Sequence, residues 1–368
     1  MAPRPTTGSS MLREAQPLTT GHPGGRRGSR LRQVIGPCLL AGAVLAAVSA
    51  LALASGRYNV PLAHVAQILA SRIVPFGSSL PAAEENVVLL VRLPRVLLAL
   101  LVGGALALGG AALQAVFRNP LVSPEVIGVS AGASFGGALA LLLGLGPIAL
   151  IGGSFGFGLL ALAIVFLITS GRGGAHILMV VLGGIVTASF FSALVALVTY
   201  LADPFTTLPA IVFWLLGSVT TATWAKVVVA LIPIAAGGVV LLALRWRVNV
   251  LSLGDDDATA LGLRPRPLRW AILAAVALMV AGAVAVSGVI SWVGLVIPHL
   301  ARMWVGPDHR VLLPVSFLLG GAYLIAIDTI ARTATAGEIP LGVLTALIGA
   351  PVFFVLLRRN RERIWDGA

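Results

Sequence analysis

Arg92, Arg95 and Arg332 are the residues of this chain best equipped for recognition chemistry. A guanidinium is a planar fork that takes a carboxylate through two parallel hydrogen bonds, and the pair in Arg92-Leu-Pro-Arg95 stands where a long apolar run begins. Arg332 follows Asp328 by four residues, a spacing that also permits a salt bridge along a helix. A second cluster is acidic: Asp255, Asp256 and Asp257 follow Gly254 and precede Ala258 and Gly262. Acids suit the positive end of a helix dipole, glycine suits the C-terminal cap, and Pro265 forbids continuation. Residues 255–262 therefore read as a short, rigid surface helix. Asp328 and His299 sit among apolar residues, where an ionisable group is a candidate proton carrier and, for His299, a candidate ligand. Catalysis has no comparable support. A phosphate-binding loop needs Gly-x4-Gly-Lys-Ser/Thr, and the lone lysine, Lys226, has no such frame. Zinc-ligand spacing, a nucleophile elbow and a carboxylate pair are also missing from the sequence, and Cys38 alone cannot form an intrachain disulfide or a multi-cysteine metal site. The expectation is a chain without catalytic residues, metal or cofactor.

The elements that hold these residues are membrane helices. The 368 residues are 58% hydrophobic and 10% charged, with a mean hydropathy of +1.02; a soluble domain would carry about a quarter charged residues. Val96–Phe117 runs 22 residues without a charge, enough at about 1.5 Å per residue to cross a hydrocarbon core of about 30 Å. Ten such segments are expected, near 34–54, 96–117, 127–145, 148–168, 176–201, 224–244, 268–286, 294–304, 311–331 and 341–357. The eighth, interrupted by Pro298, is too short to span alone and needs protein or a cavity around it. Residues 1–32, rich in Pro, Gly, Ser, Thr and Arg, form a basic disordered tail; 33–359 form the membrane domain, with a loop at about 246–266, and 360–368 a second tail. The first segment is about 20 residues long and is read as retained rather than as a cleaved signal.

Lys and Arg number 25 against 13 Asp and Glu, and they lie between apolar runs rather than on a soluble basic patch, so they report topology and not nucleic-acid binding. With both termini cytoplasmic, 19 basic residues fall inside and six outside: Arg57, Arg72, Arg92, Arg95, Lys226 and Arg332. An amphipathic piece (60–73) and a short helix within 203–218 belong to the outer side. Gly103, Gly104, Gly109 and Gly110 thin segment two, while Gly128, Gly132 and Gly136 form a stripe on segment three. Small residues let helices approach closely in lipid, so these are packing positions, with a glycine-lined path as the alternative.

Eight ordered motifs carry a resemblance across about residues 34–359. They are Arg92-Leu-Pro-Arg95, Gln114-x3-Arg118-Asn119-Pro120-Leu121, Gly128-Val-Ser-x-Gly132-Ala133, the Asp-rich Leu-Gly loop, Gly294-Leu-Val-Ile-Pro298-His299, Gly306-Pro-Asp308-His309-Arg310, Glu338-x-Pro340-Leu-Gly342 and Gly349-Ala350-Pro351. Together they resemble the FecCD family, the permeases of type II ABC importers for ferric siderophores, haem and cobalamin. The resemblance implies an all-α polytopic membrane protein with the BtuC-like permease fold, in the bacterial cytoplasmic membrane. It further implies that two permeases, identical or different, form the pore with two ABC ATPase subunits inside and an extracytoplasmic substrate-binding protein outside. It makes Arg92, Arg95 and Arg332 the docking positions for that protein's glutamates. Gly254, Asp255, Asp256, Asp257, Ala258 and Gly262 become the coupling loop to the ATPase, Pro298-His299 a structural feature, and segment five with the 204–218 helix the wall of the path. An iron chelate is the expected cargo; haem, cobalamin or an oxyanion such as molybdate stay open. A proton-coupled transporter using Asp328 or His299 is the alternative of another class.

Overall fold

In this computed structural model, residues 26–74, 80–170, 177–335 and 337–359 are described. They form helices α1 (Arg26–Ala54), α2 (Leu62–Ser71), α3 (Ala82–Asn86), α4 (Leu93–Val116), α5 (Val129–Leu142), α6 (Pro147–Thr169), α7 (Ile177–Leu201), α8 (Thr207–Leu215), α9 (Trp224–Leu251), α10 (Asp255–Ala260), α11 (Pro265–Ser287), α12 (Val293–Val305), α13 (His309–Ala334) and α14 (Leu341–Arg359). Seven helices are long and apolar enough to cross a membrane among the described residues. The shorter α5, α12 and α14 match the expected third, eighth and tenth segments. The basic stretch 26–32, expected within the tail, already belongs to α1; the tails expected over 1–25 and 360–368 lie outside the described residues.

Two helices make the centre. α4 is buried nearly all round and α11 along most of its length. A helix apolar on every face can only be such a core or face lipid. α4 packs on α13, α9, α11 and α12, while α5 lies against α6 and α7. α6, α7 and α9 keep broad apolar faces outward, as a lipid-facing or subunit-facing surface requires. The run into α4 starts earlier than the sequence suggests. α3 continues through one π-helical stretch, Val87–Arg92, so that Ala82–Val116 is one 35-residue path.

Glycines set the spacing. A Cβ on Gly103 would sit 2.3 Å from the Gly320 carbonyl oxygen, and one on Gly320 would sit 2.4 Å from that of Gly103, so α4 and α13 touch backbone to backbone. At α12 the cause is more specific. Pro298 lies inside the helix and lacks the N–H that would bond the carbonyl four residues back. That freed Gly294 oxygen faces Gly110, where a Cβ would lie only 1.8 Å away. α12 runs through Pro298 without a break, and its 13 residues stay too short to span.

Candidate functional site

The outer end of the bundle gathers a buried charge cluster. Arg95 closes on Asp328 with Nε at 3.0 and 2.8 Å from the two oxygens and an Nη2 contact at 2.8 Å. The other side of the same fork takes Glu338 at 3.1 and 2.8 Å. Thr220, just beyond α8, donates to Glu338 at 2.7 Å. Burial opposes the charge on Glu338, but the hydrogen bonds from Arg95 and Thr220 prevail and hold its carboxyl below the usual range. Arg92 donates to the carbonyls of Leu53 at 2.6 Å, Ala54 at 2.9 Å and Tyr58. Arg332 donates to Ser55 at 2.7 Å and to Ala52. The last carbonyls of a helix have no partner within it and carry partial negative charge; one arginine from the π-helical stretch that leads into α4 and one from α13 thus cap α1 from outside its own sequence.

Arg92, Arg95 and Arg332 share this end of the bundle, where they are 4%, 8% and 8% exposed and donate to the carbonyls and carboxylates named above, while the Nε of Arg332 has no hydrogen-bond partner among the described residues. The i,i+4 pair between Arg332 and Asp328 is a long contact of 3.9 Å; Asp328 belongs first to Arg95, which lies 233 residues away. Asp328 is 2% exposed in this ion pair, an arrangement that suits a fixed charge better than a travelling proton. Glu338 and Thr220 were missed as members of this cluster, although Glu338 stands in one of the motifs. His299 lies on α12 beside Phe353, and neither ring nitrogen has a hydrogen-bond partner among the described residues.

The cytoplasmic end presents α10. Gly254 precedes it with φ 143°, and Arg118, itself left-handed at φ 50°, brings its guanidinium close to Gly254. The helix ends in a double closure. Gly262 N–H donates to Thr259 at 2.9 Å and Leu263 N–H to Ala258 at 2.9 Å, with Gly262 at φ 80°. That is a Schellman motif, which needs glycine at its left-handed position. Ala258 is fully buried, and Asp255 accepts from Arg269 of α11 at 2.7 and 3.0 Å. Asp256 and Asp257 are exposed. So are Leu253 and Leu261, at 61% and 59%. Two solvent-facing leucines beside exposed carboxylates make an amphipathic knob, and the sequence reading named neither leucine.

Around α10 the motif residues act as ties. Gln114 donates to Leu295 at 3.3 Å and accepts from Arg302 at 3.2 Å, joining α4 to α12. Asn249 donates to Asp308 at 2.6 Å and accepts from the His309 N–H at 2.7 Å, joining α9 to α13. Hydrogen bonds from Arg310 hold the Asp308 carboxyl at about 2 against partial burial, and Asn249 adds to the pull. The glycines named as packing positions lie at contacts throughout. Gly104 faces the Phe317 ring, Gly109 faces Val276, Gly132 and Gly136 meet the backbone of α6, and Gly128 with φ 76° abuts Gly184 of α7. Among the described residues no group of three His, Cys, Asp or Glu side chains is placed to hold a metal.

A model of the FecCD transport family matches residues 44–359. The molybdate import system permease protein MolB of Haemophilus influenzae is 43% identical over 319 residues, covering 87% of this chain and 94% of that protein. A Helicobacter pylori protein named "Probable iron chelatin transport system permease protein" is 41% identical over 275 residues, covering 75% and 83%. A solved chain described as an inward-facing, metal-chelate type ABC transporter superposes with a TM-score of 0.79 at 41% identity, covering 88% of this chain and 98% of that one.

Proposed function

The chain belongs to the FecCD transport family, as a permease subunit of an ABC importer in the bacterial cytoplasmic membrane, and from that premise we propose that it passes a ferric chelate inward. The observation that carries the coupling half of this reading is α10. It is capped at its C-terminal end, anchored by buried Ala258 and by Asp255 on Arg269, and it offers Asp256, Asp257, Leu253 and Leu261 to the cytoplasm. An ATPase subunit gripping that knob pushes directly on α9 and α11, the helices on which α10 rests. Ala258→Pro removes the N–H that bonds Gly254 at 3.0 Å and should abolish co-purification with the ATPase or its stimulation; normal coupled uptake in that variant counts against the assignment.

Outside, we place docking of the binding protein over the Arg92, Arg95 and Arg332 end. Because the Arg95 fork is occupied, an incoming carboxylate reaches it only by exchanging with half-buried Glu338, while Arg92 and Arg332 act by holding α1 in place. Glu338→Gln weakens the internal competitor and should tighten capture of the binding protein. The helix expected to wall the path, α7, carries no charge from Ile177 to Leu201, which suits a bulky chelate that must not be trapped. A second permease copy, identical or different, completes the pore in this reading.

Molybdate is the second reading for the cargo, favoured by the 43% identity with MolB over nearly its whole length. Uptake by vesicles holding the complete importer, with radiolabelled ferric siderophore and radiolabelled molybdate offered in parallel with their binding proteins, separates the two. ATP-dependent accumulation of iron supports the chelate; accumulation of molybdate alone transfers the assignment.

A further inference from the structure

A groove of about 650 Å³ opens on the bundle surface between the outer ends of α6 and α9, floored by the last turn of α11. Pro147, Ile151, Val229 and Ala285, with Phe213 and Trp214 of α8 at one side, give it an apolar lining, and Ile148 at its lip is 90% exposed. One cation enters it. Lys226, the only lysine in the chain, lines the groove from the first turn of α9. Its Nζ donates to Thr221 Oγ1 at 2.6 Å, and no salt bridge reaches it among the described residues. The hydroxyls of Thr221, Thr223 and Ser218 share the rim.

A small hydrated anion would gain from the lysine and hydroxyls but nothing from the hydrocarbon walls. A molecule with an anionic head and an acyl tail satisfies both. We propose that this groove is a binding site for an anionic phospholipid of the outer leaflet, its phosphate held by Lys226 and the neighbouring hydroxyls and one acyl chain lying between α6 and α9. The geometry fits a lysine that keeps its stem in the apolar layer and its ammonium at headgroup level, where a basic residue near an anionic surface contributes enough for about a fivefold preference.

The test uses the full-length chain in phosphatidylcholine vesicles doped with phosphatidylglycerol that carries a photoactivatable group on its acyl chain, with adducts mapped by peptide mass spectrometry. Adducts should concentrate on the outer ends of α6 and α9. Lys226→Gln should reduce them about fivefold, Lys226→Arg should retain them, and Ala225→Phe, at an exposed lining position, should block them with the cation intact. Adducts near Phe166 and Trp270, in the separate cytoplasmic-side groove, should not change in any variant, which certifies the fold. Equal outer labelling by a photoactivatable phosphatidylcholine, or no loss in Lys226→Gln, overturns the proposal. So does displacement of the adducts by millimolar phosphate or molybdate, which would make the groove a site for a free oxyanion.

Discussion

At the scale of the residue, the most consequential contact is the one between Arg95 and Asp328. Both are almost fully buried, and three nitrogen–oxygen contacts of 2.8 to 3.0 Å join them. Removing one partner of such a pair leaves an uncompensated charge, at a cost of about 3–5 kcal/mol, whereas replacing both by apolar groups is often close to neutral. Arg95→Met should therefore lower the thermal midpoint of the purified protein sharply, and Arg95→Met with Asp328→Leu should recover much of the loss. A double variant no more stable than the single one would show that Glu338, not Asp328, is the partner that matters. Sequence spacing pointed instead to Asp328 and Arg332, because four residues on one helix are visible without a fold.

Elements behave according to how closely their backbones meet. Gly110 and Gly42 are both helical glycines in apolar surroundings, and composition cannot rank them. The structure does: a Cβ at Gly110 would collide with the Gly294 carbonyl, while one at Gly42 meets nothing within 4 Å. Gly110→Ala should cost about 1–3 kcal/mol through overpacking, and Gly42→Ala should gain about 0.5–1 kcal/mol of helix propensity. Comparing their thermal midpoints in the same detergent checks both signs. The short α10 was legible as an element from its acids, Gly262 and Pro265, all of which are local signals. Its footing on Arg269 and its exposed leucines were not, since each depends on how α9 and α11 converge.

For the whole molecule, the distribution of arginines sets the expected side of each crossing. With Cys38→Ser as background, a membrane-impermeant maleimide applied to intact cells should label Ile73→Cys, which is 85% exposed beyond α2, and should leave Leu261→Cys untouched. Labelling of Leu261→Cys only after permeabilisation completes the expectation; the reverse pattern would invert the topology and with it the roles of α10 and the arginine cluster. Membrane class, the apolar segments and the short helices were legible in the sequence, and its arginine bias sets the expected orientation. Hydrophobic length and charge asymmetry act locally against a bilayer of known thickness, so they need no knowledge of which helix neighbours which. The carbonyls that Arg92 and Arg332 cap, the carboxylate that Arg95 holds and the glycines that cannot accept a methyl group were decided by tertiary structure alone. Each is a pairing between residues far apart in the chain, and the energy of a buried charge or a backbone contact is set by the atom it meets.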